Sequence, residues 1–98
     1  MFTMEEIKEK AIPVAIKHGV DELSLFGSYA KNTQNEKSDL DFYIENGKIK
    51  GYFAYFDFVF DLEKIFKCHV DVIMNGIEDK EFLKHVQNEK KVLYVREG

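Results

Sequence analysis

The chain's patterning predicts an α/β (α+β) domain, a small sheet covered by helices. Three observations lead there. Stretches with apolar residues at helical spacing alternate along the chain with stretches that alternate apolar and polar residues. Turn signals such as Asn46-Gly47 and Asn75-Gly76 separate them. No internal repeat or linker interrupts the order, so one layered unit is expected rather than two. Ninety-eight residues leave room for one core, and a single domain over residues 1–98 is expected.

Residues 3 to 18 read as an amphipathic helix. Thr3 with Glu6 fits a capping box, Ile7, Ala11, Val14 and Ala15 share one face, and Gly19 is a natural stop. Pro13 costs a hydrogen bond inside this pattern, so a kink or early break is expected there. Residues 20–26 form a short strand ending at Gly27, and Ser28 to about Asn32 begins a short helix. Asp39 to Glu45 is a second strand, with Asp39, Asp41 and Tyr43 on one face and Leu40, Phe42 and Ile44 on the other. Six of the nine residues from Tyr52 to Phe60 are aromatic, which pulls toward strand. The stripe Phe58, Leu62, Ile65 and Phe66 decides for a helix from about 54 to 67. Tyr52, Phe53 and Tyr55 exceed what a small core absorbs, and an exposed remnant would be a partner surface. His69 to Met74 is the third strand, Ile77 to about Asn88 a charged amphipathic helix, and Val92 to Val95 a terminal extended piece.

Composition narrows the function. The net charge is −4 and Arg96 is the single arginine, which argues against direct nucleic-acid binding through a basic face. Any phosphate contact must therefore use lysine, backbone amides or metal ions. A single cysteine, Cys68, cannot form an internal disulfide, and together with the lack of a signal peptide or membrane span this predicts a cytoplasmic protein. Cys68 reads as a small packing residue.

The chemistry concentrates in two places. Gly27-Ser28, a turn leading into a helix, offers backbone N–H groups and a hydroxyl to an anion. Aspartate is depleted in strands, yet Asp39, Asp41 and Asp71 all sit in or beside apolar strands. Neighbouring strands lie about 4.8 Å apart, so Asp71 could face the other two across the sheet. Three such carboxylates can hold two Mg²⁺ ions together with substrate phosphate. Taken alone, Asp-x-Asp also describes a solvated strand face, and Gly-Ser an ordinary turn. The weight lies in their order along the chain. His69 reads as a strand-end histidine, because three carboxylates already suffice for Mg²⁺.

That order resembles the DNA polymerase beta-like nucleotidyltransferase superfamily, and within it the minimal nucleotidyltransferase (MNT) antitoxins of HEPN/MNT modules. Leu25-Phe26-Gly27-Ser28-Tyr29-Ala30 resembles the glycine-serine motif, Ser38-Asp39-Leu40-Asp41 the paired metal-binding aspartates, and Val70-Asp71-Val72 the third acidic strand. The resemblance implies a nucleotidyltransferase fold with a mixed sheet. It implies Mg²⁺-dependent transfer of AMP from ATP to a tyrosine hydroxyl of a cognate HEPN toxin, an AMPylation that silences the toxin. Asp39, Asp41 and Asp71 would be the catalytic metal ligands, with Asp71 also helping to deprotonate the hydroxyl. Gly27, Ser28 and Lys31 would bind the nucleotide. Where the family commonly continues Ala-Arg-Gly, this chain has Ala30-Lys31-Asn32, and lysine lacks the bidentate fork of arginine. The alternative is therefore a catalytically weak binding module that neutralises its toxin by occlusion. A small-molecule acceptor fits less well, since such relatives usually add a second domain.

Overall fold

The computed structural model describes residues 2–31, 33, 39–74 and 79–97, and its elements grow from local signals. Helix α1 (Met4–His18) opens on a complete capping box, with Glu6 N donating to Thr3 Oγ1 and Thr3 N to Glu6 Oε1, both at 3.1 Å. It closes where Gly19 turns left-handed (φ +72°) and donates its N–H to the carbonyls of Ala15 and Ile16. Pro13 lies inside the helix without ending it, so the expected early break does not occur. Ile7, Ala11, Val14 and Ala15 form the buried stripe.

Strands β1 (Glu22–Phe26), β2 (Leu40–Glu45), β3 (Val70–Met74) and β4 (Lys91–Val95) make one sheet in the order β3-β2-β1-β4. β1 is antiparallel to β2 and β4, while β2 and β3 run parallel, so the sheet is mixed. A parallel pair needs a long crossover, and helix α2 (Gly51–Phe66) supplies it. That helix starts at Gly51 rather than near residue 54, and the aromatic run is helical throughout. Its buried stripe, Phe58, Leu62 and Phe66, overrides the strand preference of the individual residues. Ile65, expected in that stripe, is exposed, as are Tyr52, Phe53, Phe56 and Phe60. Helix α3 (Lys80–Glu89) is capped by Asp79, which accepts from Glu81 N and Phe82 N. Its expected beginning at Ile77 and the Asn75-Gly76 turn fall outside the described residues. So do Asn32 and Ser38.

α1 and α2 cover one face of the sheet. Leu40, Phe42 and Ile44 point into that core, and the Phe42 and Phe66 rings lie 6.0 Å apart. The other face is partly covered by α3. Tyr43 shares the face of Asp41, yet it is buried. Its hydroxyl donates to Glu45 Oε1 at 2.9 Å and accepts from Gln87 Nε2 at 3.4 Å, and Lys90 Nζ sits 5.1 Å above its ring. Residues 27–31 form a turn, not the expected helix. Lys31 N bonds Gly27 O in the helical manner, but Thr33 N then reaches back five residues to Ser28 O, so the winding does not propagate.

Two substitutions gauge the fold. Phe58 is fully buried and packs edge-on against His18, so Phe58→Ala is expected to cost about 3–5 kcal/mol in chemical denaturation. Thr3→Ala, which removes the cap alone, is expected to cost about 1 kcal/mol.

Candidate active site

The Gly27 bend is fixed from both sides. Tyr29 and Ala30 are buried, and the Tyr29 hydroxyl accepts from Phe2 N at 3.3 Å. Gly27 has φ +74°, a backbone that side-chain-bearing residues rarely adopt. It also faces Asp41, because β1 and β2 pair Phe26 with Asp41. A Cβ at position 27 would stand 2.5 Å from Asp41 Oδ2. Glycine is thus required twice, by its own torsion and by the carboxylate lying against it. Ser28, half-buried, follows directly.

The parallel register of β2 and β3 pairs Asp41 with Asp71. Desolvation, then the charge and hydrogen bond of Asp71, then the charge of Asp39, push the Asp41 carboxyl up to about 6 from its ordinary 3.8. Asp39 stands exposed at the entry to β2, close enough for its charge to reach Asp41. Two of the three expected aspartates are thus side by side, with the third at their edge. Among the described residues, no three His, Cys, Asp or Glu side chains close into a metal-binding group. The donor set is all oxygen and electrostatically frustrated, which suits a hard cation that brings its remaining ligands with it.

Lys31 follows the bend, and its side chain reaches α3. Its Nζ lies 3.2 Å from Glu89 Oε2 on α3, which is also 3.1 Å from His85 Nε2. Glu89 Oε2 is buried and accepts no hydrogen bond among the described residues, so its contact with Lys31 is an ion pair.

The residue that sequence reasoning undervalued is His69. Its Nε2 lies 2.9 Å from Asp71 Oδ1 and its Nδ1 3.2 Å from Glu63 Oε2. Glu63 Oε2 also accepts from Val70 N at 3.2 Å, tying the C-terminal end of α2 to the start of β3. The hydrogen bond and charge of Asp71 raise the His69 pKa, with smaller contributions from Asp39 and Glu63. The signal was present: His69 and Asp71 are two apart in a strand and must share a face. Cys68, expected to pack, is exposed.

Comparison with known proteins agrees with this geometry. A family model described as "Polymerase beta, Nucleotidyltransferase" matches residues 9–98. The chain belongs to the Polymerase beta nucleotidyltransferase family. It is a nucleotidyltransferase, and its relatives include Methanocaldococcus jannaschii proteins carrying the name protein adenylyltransferase. One is 43% identical over 72 residues, spanning 74% of this chain and 77% of the relative. Another is 32% identical over 100 residues, spanning 97% of this chain and all of the relative. Among solved structures, a toxin-antitoxin with AMP-PNP superposes with a TM-score of 0.78 at 21% identity, covering 92% of this chain and 74% of its own. An MNT antitoxin in complex with tri-AMPylated Shewanella oneidensis HEPN toxin superposes with a TM-score of 0.74 at 17% identity, covering 96% and 74%. At those identities the likeness is one of fold. No helix among the described residues is long and apolar enough to cross a membrane.

Two outcomes follow for metal-free protein. A carboxyl whose pKa is raised on folding binds its proton more tightly in the folded state. Asp41 therefore lowers stability as pH rises from about 4 to about 6, and the penalty persists above that. Solvent screening around a half-exposed group leaves about 1 kcal/mol. Asp41→Asn should raise Tm by about 4–8 °C at pH 7.5 and by almost nothing at pH 4, read by calorimetry. Gly27→Ala should destabilise by more than the roughly 1 kcal/mol of left-handed strain, and part of that cost should vanish in the Gly27→Ala, Asp41→Ala double variant, since the clash needs both side chains.

Proposed function

We propose that the chain is a Mg²⁺-dependent protein adenylyltransferase that moves AMP from ATP onto a tyrosine hydroxyl of a HEPN toxin and so acts as its antitoxin. The observation that carries this reading is the register of β2 on β3. It sets Asp41 beside Asp71 and presses Asp41 against the Gly27 bend. The names of the M. jannaschii relatives and the toxin-antitoxin assemblies that share the fold support it.

In this reading Asp39, Asp41 and Asp71 would hold the Mg²⁺ ions, the open donor set being completed by nucleotide phosphates. Bound Mg²⁺ supplies positive charge for the triphosphate and its leaving group. The bend formed by Gly27 and Ser28 receives the outer phosphates. Asp71 lies at the exposed edge and takes the proton as the tyrosine oxygen bonds to the α-phosphorus. The bond from that phosphorus to the β-phosphate oxygen breaks and pyrophosphate departs. His69, braced by Glu63, keeps the Asp71 carboxylate turned toward the site.

A second reading has its own observation. Lys31 stands where the family commonly has arginine, and its charge is drawn toward Glu89. With that cation diverted, the chain would neutralise a toxin by covering it, with little chemistry. Mixing the chain with a HEPN partner, Mg²⁺ and ATP and weighing the partner separates the two. A gain of one or more AMP units, abolished by chelator and reduced at least about a hundredfold in Asp71→Asn, is the expected result. A tight complex with no gain in mass marks occlusion.

A further inference from the structure

One carboxylate, that of Glu89, takes no part in holding metal or phosphate. Its Oε2 is shut off from solvent and accepts no hydrogen bond among the described residues. It meets Lys31 Nζ at 3.2 Å and His85 Nε2 at 3.1 Å instead. A carboxylate oxygen removed from water holds its counter-ion firmly, because losing the partner leaves its charge uncompensated. His85 is a cation only when protonated, so Lys31 is the standing counter-ion.

The face of α3 that carries Glu89 also reaches the Gly27 bend. Phe82, His85 and Glu89 follow at three- and four-residue steps and so line one side of the helix. Phe82 and His85 set their rings edge-on against Phe26, at 6.4 and 6.1 Å, and Phe26 is the residue before Gly27. Strand pairing puts Phe26 opposite Asp41, so α3 stands on the sheet face that carries the acidic pair. Lys31 is fixed at the far end of the bend, where its N–H donates to Gly27 O at 3.1 Å. Its backbone is thus tied to the turn while its ammonium is tied to α3. Lysine carries a point charge on a flexible stem, so one ammonium can serve Glu89 or a phosphate with no change in the backbone. Resting on the reading of Gly27, Ser28 and Lys31 as the phosphate-binding residues, we propose that Glu89 is a positioning residue of the nucleotide site. It holds Lys31 in the nucleotide-free chain, yields it to the triphosphate, and so sets how tightly the nucleotide binds. Only molecules with Lys31 released bind in full, and the apparent affinity falls by that fraction. His85, one turn back on α3, stays beside Glu89 when the lysine leaves.

Calorimetric titration of the full chain with ATP and Mg²⁺ tests this. Glu89→Gln keeps the shape and removes the charge. It should tighten ATP binding about five- to tenfold, the gain expected when Lys31 is free in roughly one molecule in five to ten. Glu89→Ala serves the same purpose should the glutamine disturb folding. Lys31→Met should weaken binding, and adding Glu89→Gln to it should change nothing, because the glutamate acts only through the lysine. ATP bound by wild type and Glu89→Gln with equal or weaker affinity in the variant marks a purely structural ion pair and overturns the proposal. A gain that persists in the Lys31→Met chain marks plain repulsion between Glu89 and phosphate, and overturns it as well. ATP bound by none of these chains removes the nucleotide reading itself, and the role of Glu89 with it.

Discussion

Asp41 and Asp71 repel each other, and the hydrogen bonds of a parallel strand pair hold them side by side all the same. Much of the chain can be understood from that constraint. A parallel pair cannot be closed by a tight turn, so β2 must be followed by a crossover, and α2 is that crossover. The same helix returns Glu63 to the start of β3, where it bonds Val70 N and braces His69 against Asp71. On the other side of Asp41, β1 ends in a glycine, because no other residue leaves room for the carboxylate. The bend, the acidic pair and the histidine are therefore set by register, not by loop conformation.

Such a site is held at a cost in stability, as active sites commonly are. One face of the sheet supplies a dense core from α1 and α2, with Leu23, Leu25, Phe42 and Ile44 fully buried. The other face mixes functions along its length. Near Glu45 it is closed by Tyr43, Gln87 and Lys90, and a contact between Lys90 and Glu22 pins the end of α3 to β1. Near Asp41 it is left open. Tyr43 and Asp41 are two residues apart on one strand face, and one is buried while the other meets solvent. Gln87 of α3 and Lys90 just after it cover Tyr43.

Much of this was legible from residue pattern. Period-two alternation placed Leu40, Phe42 and Ile44 inward. The capping box at Thr3 and the stop at Gly19 are local chemistry and appear as expected. Strand register was not legible, because a pattern of alternation says which face a residue takes and not which residue it meets. Asp71 could be given a plausible neighbour, yet only the pairing with Asp41 shows that they touch. His69 was undervalued because its worth depends on Glu63, a residue from another element. The turn at 27–31 was misjudged as a helix because its start was read from Ser28, while its fate is decided by Thr33 reaching back to Ser28 O.

The aromatic run in α2 exposes a limit of core arithmetic. A helix lying on a sheet buries one stripe, at positions three or four apart, and Phe58, Leu62 and Phe66 fill it. Tyr55 escapes solvent in part by sending its hydroxyl to the carbonyl of Val72 at 3.0 Å, a contact on the sheet side. Phe53, Phe56 and Phe60 lie off that stripe and stay exposed. Phe53 and Phe60 thus add little to the isolated fold, while Phe56 keeps a ring contact with Tyr55 at 5.4 Å. The stripe is thus a surface that the packing of the single chain does not account for, and its place on the helix follows from the same period that turns Phe58, Leu62 and Phe66 inward.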